Sequence, residues 1–256
     1  MLLATWNVNS IRARLPRLLA WLQRTRPDVV LLQEVKVAER DFPFGPLGDL
    51  GYHAVVHGQP AYNGVAILSR SAAAEIERGI RDDVADEQAR LVSAVVDGVR
   101  VMSVYAPNGH AVGSDKWAYK LAWFERLREW LARTVRPDEP VVLGGDWNVA
   151  PEDRDVARPD QWRDTVLCHE DARHALRRLL HWGLHDAVRL HHPGPGPWTW
   201  WDYRLLAFPR DNGLRIDHLF LTAPLASRCS LSWVERDERK GPQPSDHAPV
   251  LVQLEG

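Results

Sequence analysis

Cysteine is scarce: Cys168 and Cys229 are the only two in 256 residues, and no CxxC spacing joins them. A disulfide framework is therefore not expected, and reduced thiols in a cytoplasmic protein are the simplest reading. Long apolar runs are missing too. None approaches the ~20 residues needed to cross a bilayer, so no membrane role is expected. The opening run, Leu2 to Trp6, looks like a strand and lacks the basic flank and long apolar stretch of a signal peptide. An excess of one charge is also lacking, for the formal net charge is −2. Many DNA-binding domains are strongly basic, yet a local face can be positive on a near-neutral protein. Charge thus neither advertises nor excludes a polyanionic partner. No repeat of solenoid length and no low-complexity segment is present.

What is there suits a globular protein. Hydrophobic residues make up 45% and charged residues 26%, and a core of that size needs no metal or disulfide to hold it. The chain reads as a single domain over residues 1–256. Leu2 to Asn7 looks like a strand. Leu15, Leu18, Leu19 and Leu22 follow at helical spacing, with Asn9 or Ser10 placed to cap. Val29 to Leu32 and Val65 to Leu68 are buried-strand runs. Leu91 to Val96 and Val99 to Tyr105 flank Asp97-Gly98, a dipeptide that favours a tight hairpin because both positions accept positive φ. Leu121, Phe124, Leu127 and Leu131 mark a second helix, with a strand at Val141 to Leu143 after it. Ala172 to Trp182 reads as a third, with Asp171 as N-cap and Gly183 just past its end. Runs at His218 to Leu221 and Val250 to Leu254 complete the list. Hairpins mixed with helices argue against a purely parallel sheet and for a layered α/β sandwich.

The informative feature is where polar residues fall. Asn7 ends the first strand, and Gln33-Glu34 follow the second. Tyr105 ends the hairpin and leads to Pro107-Asn108. Gly144-Gly145-Asp146-Trp147-Asn148 follows the strand at Val141. Asp217-His218 and Ser245-Asp246-His247 stand before apolar runs. If strand directions alternate suitably, all six sets meet at one edge, where loops on a rigid scaffold commonly build a site. Together they supply carboxylates, amides, a phenol and an imidazole. That hard, oxygen-rich set suits Mg²⁺ or Mn²⁺ and is poor for zinc. Taken singly each piece has a plainer reading: Asn7 as a turn former, Glu34 as a solvated acid, Asp146 to Asn148 as a self-capped turn, Ser245 to His247 as a strand cap. Their joint order carries the argument.

In that order they resemble the exonuclease III family of apurinic/apyrimidinic endonucleases, over nearly the whole chain. The matching segments are Thr5 to Asn9, Leu32 to Lys36, Val104 to Gly109, Gly144 to Pro151, Leu214 to Asp217 and Ser245 to Pro249. The Asn, Glu, Asp-x-Asn and Asp-His elements are shared with the wider endonuclease/exonuclease/phosphatase superfamily. The Tyr105 segment, Gly213 to Asp217 and Trp198 to Arg204 are particular to the DNA-repair branch.

The resemblance implies a four-layer α/β/β/α sandwich of two mixed sheets flanked by helices. It implies a Mg²⁺-dependent nuclease, with Mn²⁺ able to substitute, acting as a monomer on damaged double-stranded DNA. Glu34 would bind the metal, with Asn7 and Asp246 close by and Asp146, Asn148 and His247 completing the surroundings. Asp146 would orient or deprotonate the attacking water, and Asn148 would hold that water or the phosphate. Tyr105 and Asn108 would contact the phosphate, with Tyr105 aiding the leaving group. His247 would bind a phosphate oxygen as imidazolium, and Asp217 would hold it in place.

Departures from the family pattern lie before and after Trp198. His191 to Pro197 is a Pro/Gly-rich stretch, and Asp202 to Gly213 is of modest length. His191-His192 reads as part of a turn rather than a metal site. Trp200 and Trp201 are either core residues or an apolar wall or wedge against DNA. Two rival functions remain. One is a phosphodiesterase acting on lipid head groups or inositol phosphates, which would lack the Tyr105 and Trp198 segments. The other is a nucleic-acid-binding protein without catalysis, which would not need the full acid and amide set.

Overall fold

The computed structural model describes residues 1–256. Twelve strands form two six-stranded sheets. In chain order they are β1 (Leu2–Asn7), β2 (Val29–Gln33), β3 (His53–His57), β4 (Val65–Ser69), β5 (Ala74–Arg78), β6 (Leu91–Val96), β7 (Val99–Tyr105), β8 (Val141–Asp146), β9 (Leu184–Asp186), β10 (Asp217–Thr222), β11 (Cys229–Val234) and β12 (Val250–Leu254). One sheet runs β11-β12-β1-β2-β4-β3 and the other β5-β6-β7-β8-β10-β9.

Alternation along the central strands builds the layers, since successive side chains point to opposite faces. Leu3, Val29 and Leu31 pack between the sheets with Val101, Val142 and Leu219. Ala4, Trp6, Val30 and Leu32 face outward, where the helix Ile11–Thr25 covers them with Ile11, Leu18, Trp21 and Leu22. On the far side, Met102, Val104 and Leu143 meet Phe124, Leu127 and Leu131 of the helix Asp115–Thr134 and Leu176 of the helix Glu170–Leu180. The result is the expected α/β/β/α sandwich. No helix is long and apolar enough to cross a membrane.

Local signals behave as their chemistry dictates. Asp97 and Gly98 take φ 49° and 78° in the hairpin turn. Ser114 caps the Asp115–Thr134 helix, its hydroxyl accepting from Trp117 N at 3.2 Å. The third helix starts earlier than the expected Ala172. His169, not Asp171, is the N-cap, its ring Nδ1 accepting from Asp171 N at 3.2 Å. The first turn, Glu170-Asp171, breaks the apolar pattern, which hid it.

Strand direction gathers the polar ends. β1 and β2 are parallel, as are β7 and β8, while β12 runs antiparallel to β1 and β10 antiparallel to β8. Four C-terminal strand ends and two N-terminal ones therefore share one edge. Across the second sheet, Asp146 is in register with both Tyr105 and Asp217. Gly144 and Gly145 permit this. A Cβ on Gly145 would lie 1.8 Å from Val104 O, and one on Gly144 2.5 Å from a Leu219 methyl.

Candidate active site

Asp146 is the hub of the gathered groups. It is fully buried, its Oδ2 accepts from Asn7 Nδ2 at 2.9 Å, and its Oδ1 accepts from Asn148 N at 2.9 Å. Burial pushes its carboxyl up to about 7 against the pull of the His247 charge, with Asp217 and Glu34 adding to the rise. The same Asn7 amide donates to Glu34 Oε1 at 2.8 Å, so it spaces the two acids. Glu34 sits at φ 51° and pairs with Lys36 Nζ at 2.7 Å.

His247 lies on the other side of Asp146, its Nε2 3.8 Å from Asp146 Oδ2. Its Nδ1 meets both oxygens of Asp217, at 3.0 and 2.9 Å. Asp217 is in turn held by the Thr199 hydroxyl at 2.6 Å. Burial alone would lower the imidazole, but Asp217, Asp146 and Asp246 raise it to about 10, so the ring is a cation at neutral pH. For Asp246 burial works upward, yet His247 and the donors Trp200 Nε1 and Asn9 Nδ2, each at 3.0 Å, keep its carboxyl low.

The amides and the phenol form the remaining wall. Asn108 Nδ2 donates to Asn148 Oδ1 at 3.0 Å, and Asn148 Nδ2 to Ala106 O at 3.0 Å. Burial, with the charges of Glu34 and Asp146, holds the Tyr105 hydroxyl well above its ordinary range, so it stays a neutral donor. An open cleft of about 480 Å³ continues from Tyr105 and Asn108 past Arg90, His110 and Lys116. Ligand atoms of Glu34, Asp146 and His247 lie within 4.8 Å of one another, and with the His247 ring protonated it is the carboxylates of this group that can offer lone pairs to a metal ion.

The Endonuclease/Exonuclease/phosphatase family model matches residues 4–247. Exodeoxyribonuclease III of Haemophilus influenzae is 33% identical, the alignment covering 98% of each chain. The chain belongs to the exonuclease III family. Among solved structures of similar fold, an AP endonuclease from Archaeoglobus fulgidus superposes with TM-score 0.97 at 39% identity, covering 100% of both chains. NExo from Neisseria, a 3′ phosphatase solved with a product DNA hairpin, gives TM-score 0.96 at 39% identity, again over 100% of both.

Of the residues expected from the exonuclease III pattern, all but one border this site. Trp200 is half-buried, its ring 6.5 Å from that of His247 and edge-on to Trp162 at 5.6 Å. Trp201 is the exception. It is fully buried with Ala207 and Ala248, so the core reading holds for it and a direct DNA contact does not. His191 and His192 instead face backbone carbonyls of Cys229 and Ser232, at 3.1 and 2.7 Å. Sequence reasoning passed over Lys36, Asn9 and Thr199. The first two lay within segments already singled out, two residues beyond Glu34 and Asn7, and Lys36 Nζ to Asn9 Oδ1 at 2.6 Å links them. Thr199 had no motif to mark it.

Proposed function

We propose that this exonuclease III family member is a metal-dependent DNA repair nuclease. It hydrolyses the phosphodiester 5′ to abasic sites and clears nucleotides and blocking groups from 3′ ends. The observation that carries the reading is a buried Asp146 set between an amide donor and an imidazolium, beside an excess of carboxylates.

Phosphodiester hydrolysis needs an in-line water, charge neutralisation at phosphorus and help for the departing oxygen. Asp146, lifted to about 7, accepts the water's proton near neutral pH. Its lone pairs are aimed by Asn7 and by the Asn148 backbone. His247, cationic and locked by Asp217, binds a non-bridging phosphate oxygen. Asn108 and Asn148 donate to the phosphate, and the neutral Tyr105 phenol faces the leaving group. The donor set fits a hard divalent ion: Glu34 would hold Mg²⁺ or Mn²⁺ with Asn7 and Asp246 alongside, and the ion when bound would neutralise charge on the phosphate. Trp200 offers an apolar wall for a base-free sugar, and Arg90, His110 and Lys116 line the cleft that would take the adjoining strand.

The test is a duplex with one abasic site, incubated with Mg²⁺ and after exhaustive chelation, beside duplexes ending in a 3′-phosphate and a 3′-hydroxyl. Cleavage with metal and none without is expected. Full activity after chelation, or activity on none of the three DNA substrates, would overturn the reading.

A further inference from the structure

Three consecutive backbone carbonyls just beyond β8 each accept from a basic side chain, and each side chain comes from a different element. Lys120 Nζ, on the helix Asp115–Thr134, donates to Asn148 O at 2.7 Å. His218 Nε2, on β10, lies 3.0 Å from Val149 O. Arg173 Nε, on the helix Glu170–Leu180, donates to Ala150 O at 3.0 Å. The proton on His218 can be assigned. Its Nδ1 is 2.8 Å from Arg215 Nη1, and a guanidinium can only donate, so Nε2 carries the hydrogen and donates to Val149. Lys120 also donates to Asn108 O at 3.1 Å and Val166 O at 2.7 Å, so one ammonium fixes both partners of the Asn108–Asn148 amide pair.

Lys120 and His218 are fully buried and Arg173 nearly so. Burying a charge is costly unless it is fully hydrogen-bonded. The turn itself is buried, so its carbonyls are shielded from water and take their donors from the protein. What the three side chains hold is a left-handed turn: Asn148 stands at φ 51°, a conformation that asparagine adopts more readily than most residues other than glycine.

We propose that Lys120, His218 and Arg173 form a basic clamp on the turn after Asp146, and that they are positioning residues holding the Asn148 carboxamide against the reacting phosphate. This rests on the reading of Asn148 as a substrate-handling residue. The clamp acts through the backbone, because all three groups grip carbonyls and none touches the carboxamide itself.

The experiment is a double-mutant cycle. Lys120→Met and Arg173→Met are made singly and in an Asn148→Gly background, since glycine tolerates the positive φ while deleting the carboxamide. Single-turnover cleavage, KM and thermal midpoint are measured on the abasic duplex with saturating Mg²⁺. Displacing a positioned group can cost ~100-fold, so each clamp variant should lose roughly 10- to 100-fold in rate with KM nearly unchanged. In the Asn148→Gly background the same substitutions should cost less than about threefold, because residues acting through one group are not additive. Equal fold-losses in both backgrounds overturn the clamp, as do wild-type rates in the folded single variants. Arg173→Met, at the least enclosed arm, decides the matter if Lys120→Met does not fold. Asn148→Gly alone reports on the site reading. Full activity there defeats that reading and the clamp together, whereas loss there with additive clamp losses defeats the clamp alone.

Discussion

Two buried charge clusters lie side by side at the start of β10, and one short stretch feeds both. Arg215 and His218 turn to one side and join Asp155, Asp186 and Arg189. Asp217, between them, turns to the other and joins Glu34, Asp146, Asp246, His247 and Lys36. The first cluster is balanced, two guanidiniums against two carboxylates, with Arg215 Nε 2.6 Å from Asp155 and Nη2 2.8 Å from Asp186. The second sets four carboxylates against one imidazolium and one ammonium. Two histidines report the difference. Burial, then Arg215, drives His218 down to about 4, so it is neutral. For His247 the same burial is outweighed by Asp217, Asp146 and Asp246, and it is raised to about 10. A balanced buried cluster has its charges paired, and removing one partner is what destabilises it. A cluster left with excess negative charge remains costly until a cation arrives, which accords with the proposed binding of metal and phosphate there.

The sharpest test of the comparison is Asp146→Asn. It keeps the shape and removes the proposed proton acceptor, a loss worth about 10²- to 10⁴-fold in rate. Single-turnover cleavage should fall by that much, while DNA binding measured by anisotropy stays intact. A variant keeping a tenth or more of wild-type rate would return Asp146 to a structural role.

The balanced cluster should fail differently. Arg215→Met strands Asp155 and Asp186 with Arg189 alone, and breaking a buried pair by removing one partner costs about 3–5 kcal/mol. Urea unfolding should show that loss. A change under about 1 kcal/mol, the usual worth of an exposed pair, would mean that this cluster is not closed.

A smaller effect is expected of Glu34→Gln, which relieves one negative charge in the unbalanced cluster. Wild-type thermal midpoint should rise with added Mg²⁺, because a ligand that binds only the folded state stabilises it. In Glu34→Gln the rise should need roughly tenfold more Mg²⁺, a weakening of about 1.4 kcal/mol. An identical titration for both proteins would take Glu34 out of the metal site.

How legible all this was in the sequence depended on position in the sheets. The strands that escaped sequence reading, His53–His57, Ala74–Arg78, Leu184–Asp186 and Cys229–Val234, are the four edge strands of the two sheets. An edge strand is half solvated, so it carries no continuous apolar run. Ala74–Arg78 is exposed at four of five positions, whereas every residue of Val29–Gln33 is buried. The acids and amides of the site were legible because each ends or precedes an interior, mostly apolar strand. The basic residues that support them were not, since a lysine or arginine in a helix ordinarily reads as a solvated face. Lys120 did carry a signal: with Trp117, Phe124, Leu127 and Leu131 it falls on the apolar stripe of its helix, where a charge needs a buried partner.

The finest test concerns Asp217, the residue where the two clusters diverge. In the proposed role His247 binds a phosphate oxygen as a cation, so its contribution should be present below its pKa and lost as pH rises through about 10. Asp217→Asn keeps an oxygen to accept from Nδ1 and leaves Thr199 as a neighbour, so the ring stays in place while the negative charge goes. Burial then acts on the imidazole with less opposition, and its pKa falls. The alkaline limb of the single-turnover pH profile should move to lower pH by about one unit, worth about 1.4 kcal/mol between the two protonation states. Asp217 also helps to lift Asp146, although burial contributes most there. Removing its charge should therefore shift the acid limb downward as well, by less, because Asp217 touches His247 directly and reaches Asp146 only across the strand pair. Both limbs moving down, the alkaline one further, is the expected profile at saturating Mg²⁺. An alkaline limb that does not move would show that Asp217 is not what holds His247 cationic, and the contrast between the two histidines would then rest on Asp146 and Asp246 alone.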